Sequence, residues 1–329
     1  MPNGQSDLFP TADWDTLCRR AALTARLRQF FDQRGFLEVE TPMLSHDTVV
    51  DLHLEPIQVP VTAAWNVADP DRCLFLQTSP EFSMKRLLAA GATAIYQITR
   101  AFRAGEFGPH HNPEFTIVEW YRVGDSMHAG IQLLDDLVQA ILDRGSVERL
   151  TYAQAFQRWV GVDPHACPIP RIAEVAHCQG LQAEPPWNPD DRDAWLDWLL
   201  VTCVEPNLGR SRPTILFDYP VSQAALARVR DGDVPVAERF ELYVDGVELA
   251  NGYHELTDPD ELVRRTRAAN AQRRERGRPL LPDQNRLVAA MRHGLPACTG
   301  VALGLDRLVM IATGAAELKG VMAFPFDRA

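Results

Sequence analysis

The chain of 329 residues has little that would tie it to an oxidising or membrane setting. Its six cysteines are scattered, and no two form a C-x-x-C pair, which excludes a thioredoxin-type motif and a zinc knuckle. They are expected to be buried free thiols of a reducing compartment. No apolar run approaches the ~18 residues that a membrane span needs. No apolar h-region precedes the first basic residue, Arg19, so no signal peptide is expected and the expected location is cytoplasmic. Lysine is scarce: Lys85 and Lys319 stand against 31 arginines. Positive charge is also short overall, 33 basic against 44 acidic residues for a net charge of −11. That balance argues against broad contact with a nucleic-acid backbone. Two nucleotide signatures are missing, G-x-x-x-x-G-K-[ST] and a G-x-G-x-x-G that opens a helix after a strand. Any ATP used here is held by another fold.

What is present is a globular composition, 46% hydrophobic and 23% charged, long enough for one large domain or two modest ones. Trp14, Leu17, Ala21, Leu27, Phe30 and Phe31 fall near helical spacing and Gly35 marks a stop. Phe36 to Thr41 alternates like a strand and ends at Pro42. Ser79-Pro80-Glu81 predicts a helix start with serine as N-cap. Two strands, Ala94 to Arg103 and Phe115 to Arg122, flank a polar loop, and on the second Glu119 and Tyr121 share a face. Residues 125–144 predict an amphipathic helix, and about 146–235 look like an insertion in a single unit. Asp245-Gly246 signals a hairpin within Phe240 to Asn251, an arginine-rich helix follows, and Gly300 to Gly314 reads as a strand running into a helix.

Several of these residues suit phosphate and ammonium chemistry. Arg103 ends a strand and Arg307 lies in the first turn of the last helix; an arginine fork matches phosphate oxygens, and a helix N-terminus adds backbone donors. Glu241 and Glu248 flank the hairpin, either as hard oxygen ligands for Mg²⁺ or as two exposed carboxylates. Glu81, Glu119 and Glu255 are the acids expected around an ammonium substrate. The string Arg264, Arg265, Arg267, Arg273, Arg274, Arg276 and Arg278 reads as a solvated helix face, with an acidic acceptor surface as the partner it would otherwise fit. His110-His111 reads as a loop element, without a third ligand at metal spacing.

Together these segments resemble the catalytic domain of class II aminoacyl-tRNA synthetases, closely the lysyl type. The resemblance rests on Ile98 to Arg122 for the second class motif, Gly300 to Ile311 for the third, and Arg239 to Asp258 between them. His111-Asn112-Pro113-Glu114-Phe115 and Glu248-Leu249-Ala250-Asn251-Gly252 carry the lysyl likeness. The first motif begins near residue 14, which leaves no room for an anticodon-binding domain, so the chain is similar to the truncated branch that attaches β-lysine to elongation factor P. Ser79 stands where lysyl enzymes usually have alanine, and Ala302 where they have the middle glycine of G-x-G-x-G.

The resemblance implies an α+β fold over residues 1–329, an antiparallel β-sheet flanked by helices. It implies ATP and Mg²⁺ as cofactors, elongation factor P and β-lysine as substrates, a homodimer, and no stable tRNA binding. Arg103 and Arg307 would be catalytic on the α- and γ-phosphates, with Glu106, Asn112, Glu248, Leu249 and Gly304 around ATP and Glu241 and Glu248 on Mg²⁺. Ser79, Pro80, Glu81, Glu119, Tyr121 and Glu255 would bind the amino acid. Glu106 is one residue further from Arg103 than in the usual Arg-Asn-Glu. A lysine-activating tRNA-charging enzyme and a non-catalytic synthetase-like module are the alternatives.

Overall fold

In the computed structural model, which describes residues 8–52, 54–61, 73–180 and 189–329, Asp13 sets the first helix. Its carboxylate accepts the Thr16 N–H at 2.7 Å, capping Trp14–Asp32. Leu23, Leu27, Phe30 and Phe31 are the buried stripe of that helix, whereas Trp14 is left 77% exposed. Phe31 stacks on Tyr96 at 4.6 Å and meets Trp120 at 5.2 Å, so the helix is held by aromatic packing on the sheet. The strand expected over Phe36 to Thr41 shrinks to Leu37–Glu38, which pairs parallel with Ile95 and Tyr96.

The chain divides into two compact units, Met1–Gly124 with Thr257–Ala329, and Asp125–Leu256. In the first, the strand Glu114–Val123 lies between Ala94–Phe102 and Cys298–Gly304, antiparallel to both. Its register sets Gln97 and Ala302 directly opposite Glu119, and Gly300 opposite Tyr121. The helix Leu305–Thr313 follows the third strand without a break. The arginine-rich helix is Pro259–Glu275, capped by Asp258 and packed against Arg286–Gly294.

The second unit starts with the helix Met127–Leu142, where Ser126 caps. Val236–Val244 and Val247–His254 form the expected hairpin, with Asp245 and Gly246 both at positive φ (55° and 79°), the geometry of a type I′ turn. Thr214–Tyr219 joins on the other side of Val236–Val244, and Glu148–Thr151 pairs parallel with it. The helices Tyr152–Trp159, Ile169–Cys178 and Arg192–Leu199 supply a core of Phe156, Ile172, Trp195 and Leu196 beneath Tyr219 and Tyr243. Residues 146–235, expected as an insertion, contribute these helices together with the strands Glu148–Thr151 and Thr214–Tyr219, and share one apolar core with Ala237 and Tyr243 of the hairpin strand.

The cysteines correct one expectation. Only Cys298 is buried, while Cys18 and Cys178 are exposed and the other three are intermediate. Scattered thiols here occupy surface positions where nothing demands a sulfur. Among the described residues, no helix is long and apolar enough to cross a membrane.

Candidate active site

In the first unit the second strand supplies a buried carboxyl, Glu119, 1% exposed on an otherwise apolar strand. Ser79 Oγ donates to one oxygen at 2.6 Å and Tyr121 Oη to the other at 2.6 Å. Burial, and then the nearby Glu81, push the Glu119 carboxyl up to about 7, although both hydroxyls and Lys85 pull it down. Ser79 also accepts the Glu81 N–H at 3.0 Å. The helix begins at Glu81 with Pro80 as cap residue, one position later than expected, although the Ser79 oxygen still takes the first free N–H of the helix, that of Glu81. Lys85, one turn on, places its ammonium 2.5 Å from Glu81 with only 2% of the residue exposed. The opposing Ala302 adds a single methyl to the Glu119 face, and Gly300 and Gly304 add no side chain.

A second cluster lies on the loop after Ala94–Phe102. Arg103 sits over the Phe115 ring at 4.9 Å, its Nε donates to the Thr78 carbonyl at 3.4 Å, and its Nη1 lies 3.8 Å from Glu106. Arg307 Nε donates to the His110 carbonyl at 3.2 Å, and Nη2 meets His111 Nε2 at 2.8 Å. Burial and then Arg307 hold the His111 imidazole below its ordinary range, so it accepts from the guanidinium as a neutral ring. A Cβ on Gly304 would meet Arg307 carbons at 3.8 Å, so glycine leaves that side of the arginine bare. Asn112 is engaged at both ends of its amide: Nδ2 donates to the Glu114 carbonyl at 2.6 Å and Oδ1 accepts the Phe326 N–H at 3.0 Å.

The second unit holds the remaining acids. Hairpin pairing runs Glu241 to Asn251 and Leu242 to Ala250, then jumps to Tyr243 with Glu248, leaving Leu249 as the extra residue of a β-bulge. Such a bulge re-aims side chains. Here it brings Glu248 opposite Tyr243, and Tyr243 Oη donates to Glu241 at 2.5 Å, so both carboxylates share one face. Glu241 also takes the Tyr219 hydroxyl at 2.6 Å and Arg239 Nη2 at 2.5 Å. Burial, followed by Glu241, Tyr219, Glu205 and Glu248, drives the Tyr243 phenol well above its ordinary range. Glu255 is buried in an isolated bridge to Ala227.

Two carboxylates on one face are the donor set Mg²⁺ uses when substrate phosphates and water complete its shell. Glu241 Oε1 keeps a lone pair beyond the Arg239 bond, and Glu248 is half-buried, so the set fits that mode. Among the described residues no group of three or more His, Cys, Asp or Glu forms an all-protein metal cage.

Sequence reasoning missed Lys85, Arg239, Tyr219 and Tyr243. Lys85 was findable: it lies four residues from Glu81 in a chain that otherwise uses arginine. Arg239, Glu241 and Tyr243 alternate along one strand and so were readable as one face. Tyr219 comes from a neighbouring strand, which only the fold reveals.

Residues 10–328 match the family described as tRNA synthetases class II (D, K and N). The elongation factor P–(R)-β-lysine ligase of Vibrio vulnificus (strain YJ016) is 48% identical over 324 residues, covering 98% of this chain and 99% of the relative. The enzyme of the same name from Yersinia enterocolitica is 48% identical over 320 residues, 97% of this chain and 98% of the relative. That from Vibrio cholerae is 47% identical over 326 residues, with 98% and 99% covered.

Proposed function

The chain belongs to the class II tRNA synthetase family (D, K and N), and from that premise we propose that it is an ATP-dependent ligase that attaches (R)-β-lysine to a lysine of elongation factor P. The observation that carries the donor is the buried Glu119, bonded by Ser79 and Tyr121 and pushed up to about 7: an ammonium is the ligand such a carboxyl lacks. Glu81, held by Lys85, takes a second amine or orients the first; Glu255, buried in the second unit, is assigned to the amino acid by the family resemblance alone.

The reaction needs no protein nucleophile. A substrate carboxylate oxygen attacks the α-phosphorus, the bond to the bridging oxygen breaks, and pyrophosphate leaves. Arg103 neutralises charge at the α-phosphate and Arg307 at the γ-phosphate, each already oriented by backbone carbonyls. The family resemblance assigns Glu106, Asn112, Leu249 and Gly304 to the nucleotide. Glu241 and Glu248 would hold Mg²⁺, which when bound would offset phosphate charge. The neutral amine of the acceptor lysine then attacks the acyl carbon of the adenylate, an amide bond forms, AMP leaves, and the amine gives up a proton.

The protein acts as a cytoplasmic homodimer. The exposed Trp14 on the first helix and Leu37, 65% exposed on the terminal strand, are the apolar side chains that a second copy would cover. Incubating the chain with ATP, Mg²⁺, (R)-β-lysine and unmodified elongation factor P, followed by intact-mass spectrometry, tests the reading. One added lysyl mass on a single acceptor lysine is expected. Charging of bulk tRNA in its place would favour the tRNA-charging alternative.

A further inference from the structure

Of the seven arginines from Arg264 to Arg278, five are exposed and form the solvated face that their spacing suggests, Arg265 is half-buried, and Arg273 departs from it. Arg264 and Arg265 bind Glu261 on their own helix, and Arg267 binds Asp283. Arg273 is 0% exposed, which no surface role explains. Its Nη2 donates to both oxygens of Glu55, at 3.1 and 2.8 Å. Nη1 donates to the carbonyls of Asp51 and Leu54, at 3.1 and 3.3 Å, and Nε to that of Pro279 at 2.9 Å. Arg278 adds a bond to the Leu52 carbonyl at 2.7 Å. A fully desolvated guanidinium is costly to keep, and its fork of donors is used here to grip one stretch of backbone.

That stretch leads to the phosphate arm. The Glu55 carbonyl accepts the N–H of Ala104 at 2.8 Å, while the Arg103 N–H itself goes to the Pro113 carbonyl at 2.9 Å. Arg103 is thus fixed between two peptide bonds, one of which hangs from the residue that Arg273 clamps. We propose that Arg273 is a positioning residue for adenylate formation, acting through Glu55 and the Ala104 peptide on the placement of Arg103. The inference rests on the reading that Arg103 works on ATP. It also removes Arg273 from the acceptor-docking role its position in the sequence suggested.

The test uses the full chain in ATP–pyrophosphate exchange, with Arg273→Lys, Glu55→Gln and the double variant, each checked by circular dichroism and thermal melting. Arg273→Lys keeps the charge and loses the fork, and kcat is expected to fall about 10- to 100-fold, the scale of an ångström-sized misplacement. Glu55→Gln falls by a smaller factor in kcat, and the KM for β-lysine stays within about 2-fold in both, because Ser79, Glu81 and Glu119 lie off this path. The double variant is no worse than Arg273→Lys alone, since both act on one connection. Folded variants with wild-type kcat, or losses that simply add, would overturn the proposal. If Arg273→Lys does not fold, Glu55→Gln decides alone, and an unchanged kcat overturns it. A wild-type chain without exchange would instead refute the ligase reading on which the inference stands.

Discussion

Glu119 and Glu241 are both buried glutamates on central strands, and their surroundings make them opposite instruments. Glu119 accepts hydrogen bonds from two hydroxyls, has an acid for a neighbour, and is pushed up to about 7. Glu241 takes two tyrosine hydroxyls as well, but Arg239 supplies its counter-charge at 2.5 Å. The first carboxyl is left for a ligand to balance, whereas the charge of the second is balanced by Arg239 before any metal is bound. A buried acid whose charge is left uncompensated thus points to a charged ligand, whereas a paired one such as Glu241 also carries stability of the fold.

Substituting each acid by its amide should separate these roles. Glu119→Gln is expected to lower kcat/KM for β-lysine by roughly 10²–10³-fold, about 2.7–4.1 kcal/mol, for an ammonium left without its buried partner, with no loss in denaturant midpoint. Glu241→Gln leaves Arg239 uncompensated and should cost about 3 kcal/mol of stability, visible in urea unfolding before any kinetics are measured. Equal stability losses in the two variants would erase the contrast.

Proton linkage gives a smaller and sharper effect. With Glu119 raised from an ordinary 4.5 to about 7, the folded chain holds a proton that the unfolded chain has released between those values. Stability from this group is therefore present at low pH and is lost as pH rises through 7. Ammonium binding runs the other way, because it needs the ionised carboxylate. The KM for β-lysine should fall about 10-fold from pH 6 to pH 8, following an ionised fraction that rises from ~0.1 to ~0.9, and Glu119→Gln should flatten the profile.

The smallest expected effect concerns the pocket walls. Ser79→Ala with Ala302→Gly removes one hydroxyl bond to Glu119 and the methyl opposite it. Preference should move toward α-lysine by about 1 kcal/mol, a few-fold in relative kcat/KM. No movement would mean that donor choice is made elsewhere.

Much of this was readable in the sequence. The first helix, the strand–loop–strand, the Asp245-Gly246 hairpin and the final strand–helix follow from periodicity and turn chemistry. Glu119 and Tyr121 stand out because charged and phenolic groups break an apolar strand, and Arg103 and Arg307 because they lie at a strand end and in a helix first turn, where a guanidinium can meet phosphate. What stayed hidden depends on non-local partners. The Leu249 bulge that aligns Glu248 with Glu241 is a register shift, which strict alternation cannot express. Arg273 looks like its neighbours in sequence and differs only in meeting Glu55, 218 residues away. His111 could be placed on a loop, but its bond to Arg307 required the fold.

The central claim is that this chain makes a β-lysyl adenylate. ATP–pyrophosphate exchange with (R)-β-lysine and α-lysine in parallel, for the wild type and Arg307→Ala, tests it most directly. Exchange is expected to be faster with β-lysine and reduced at least ~10²-fold in Arg307→Ala, about 2.7 kcal/mol of lost charge stabilisation. Absence of exchange with either amino acid, or near-normal exchange in Arg307→Ala, would contradict it.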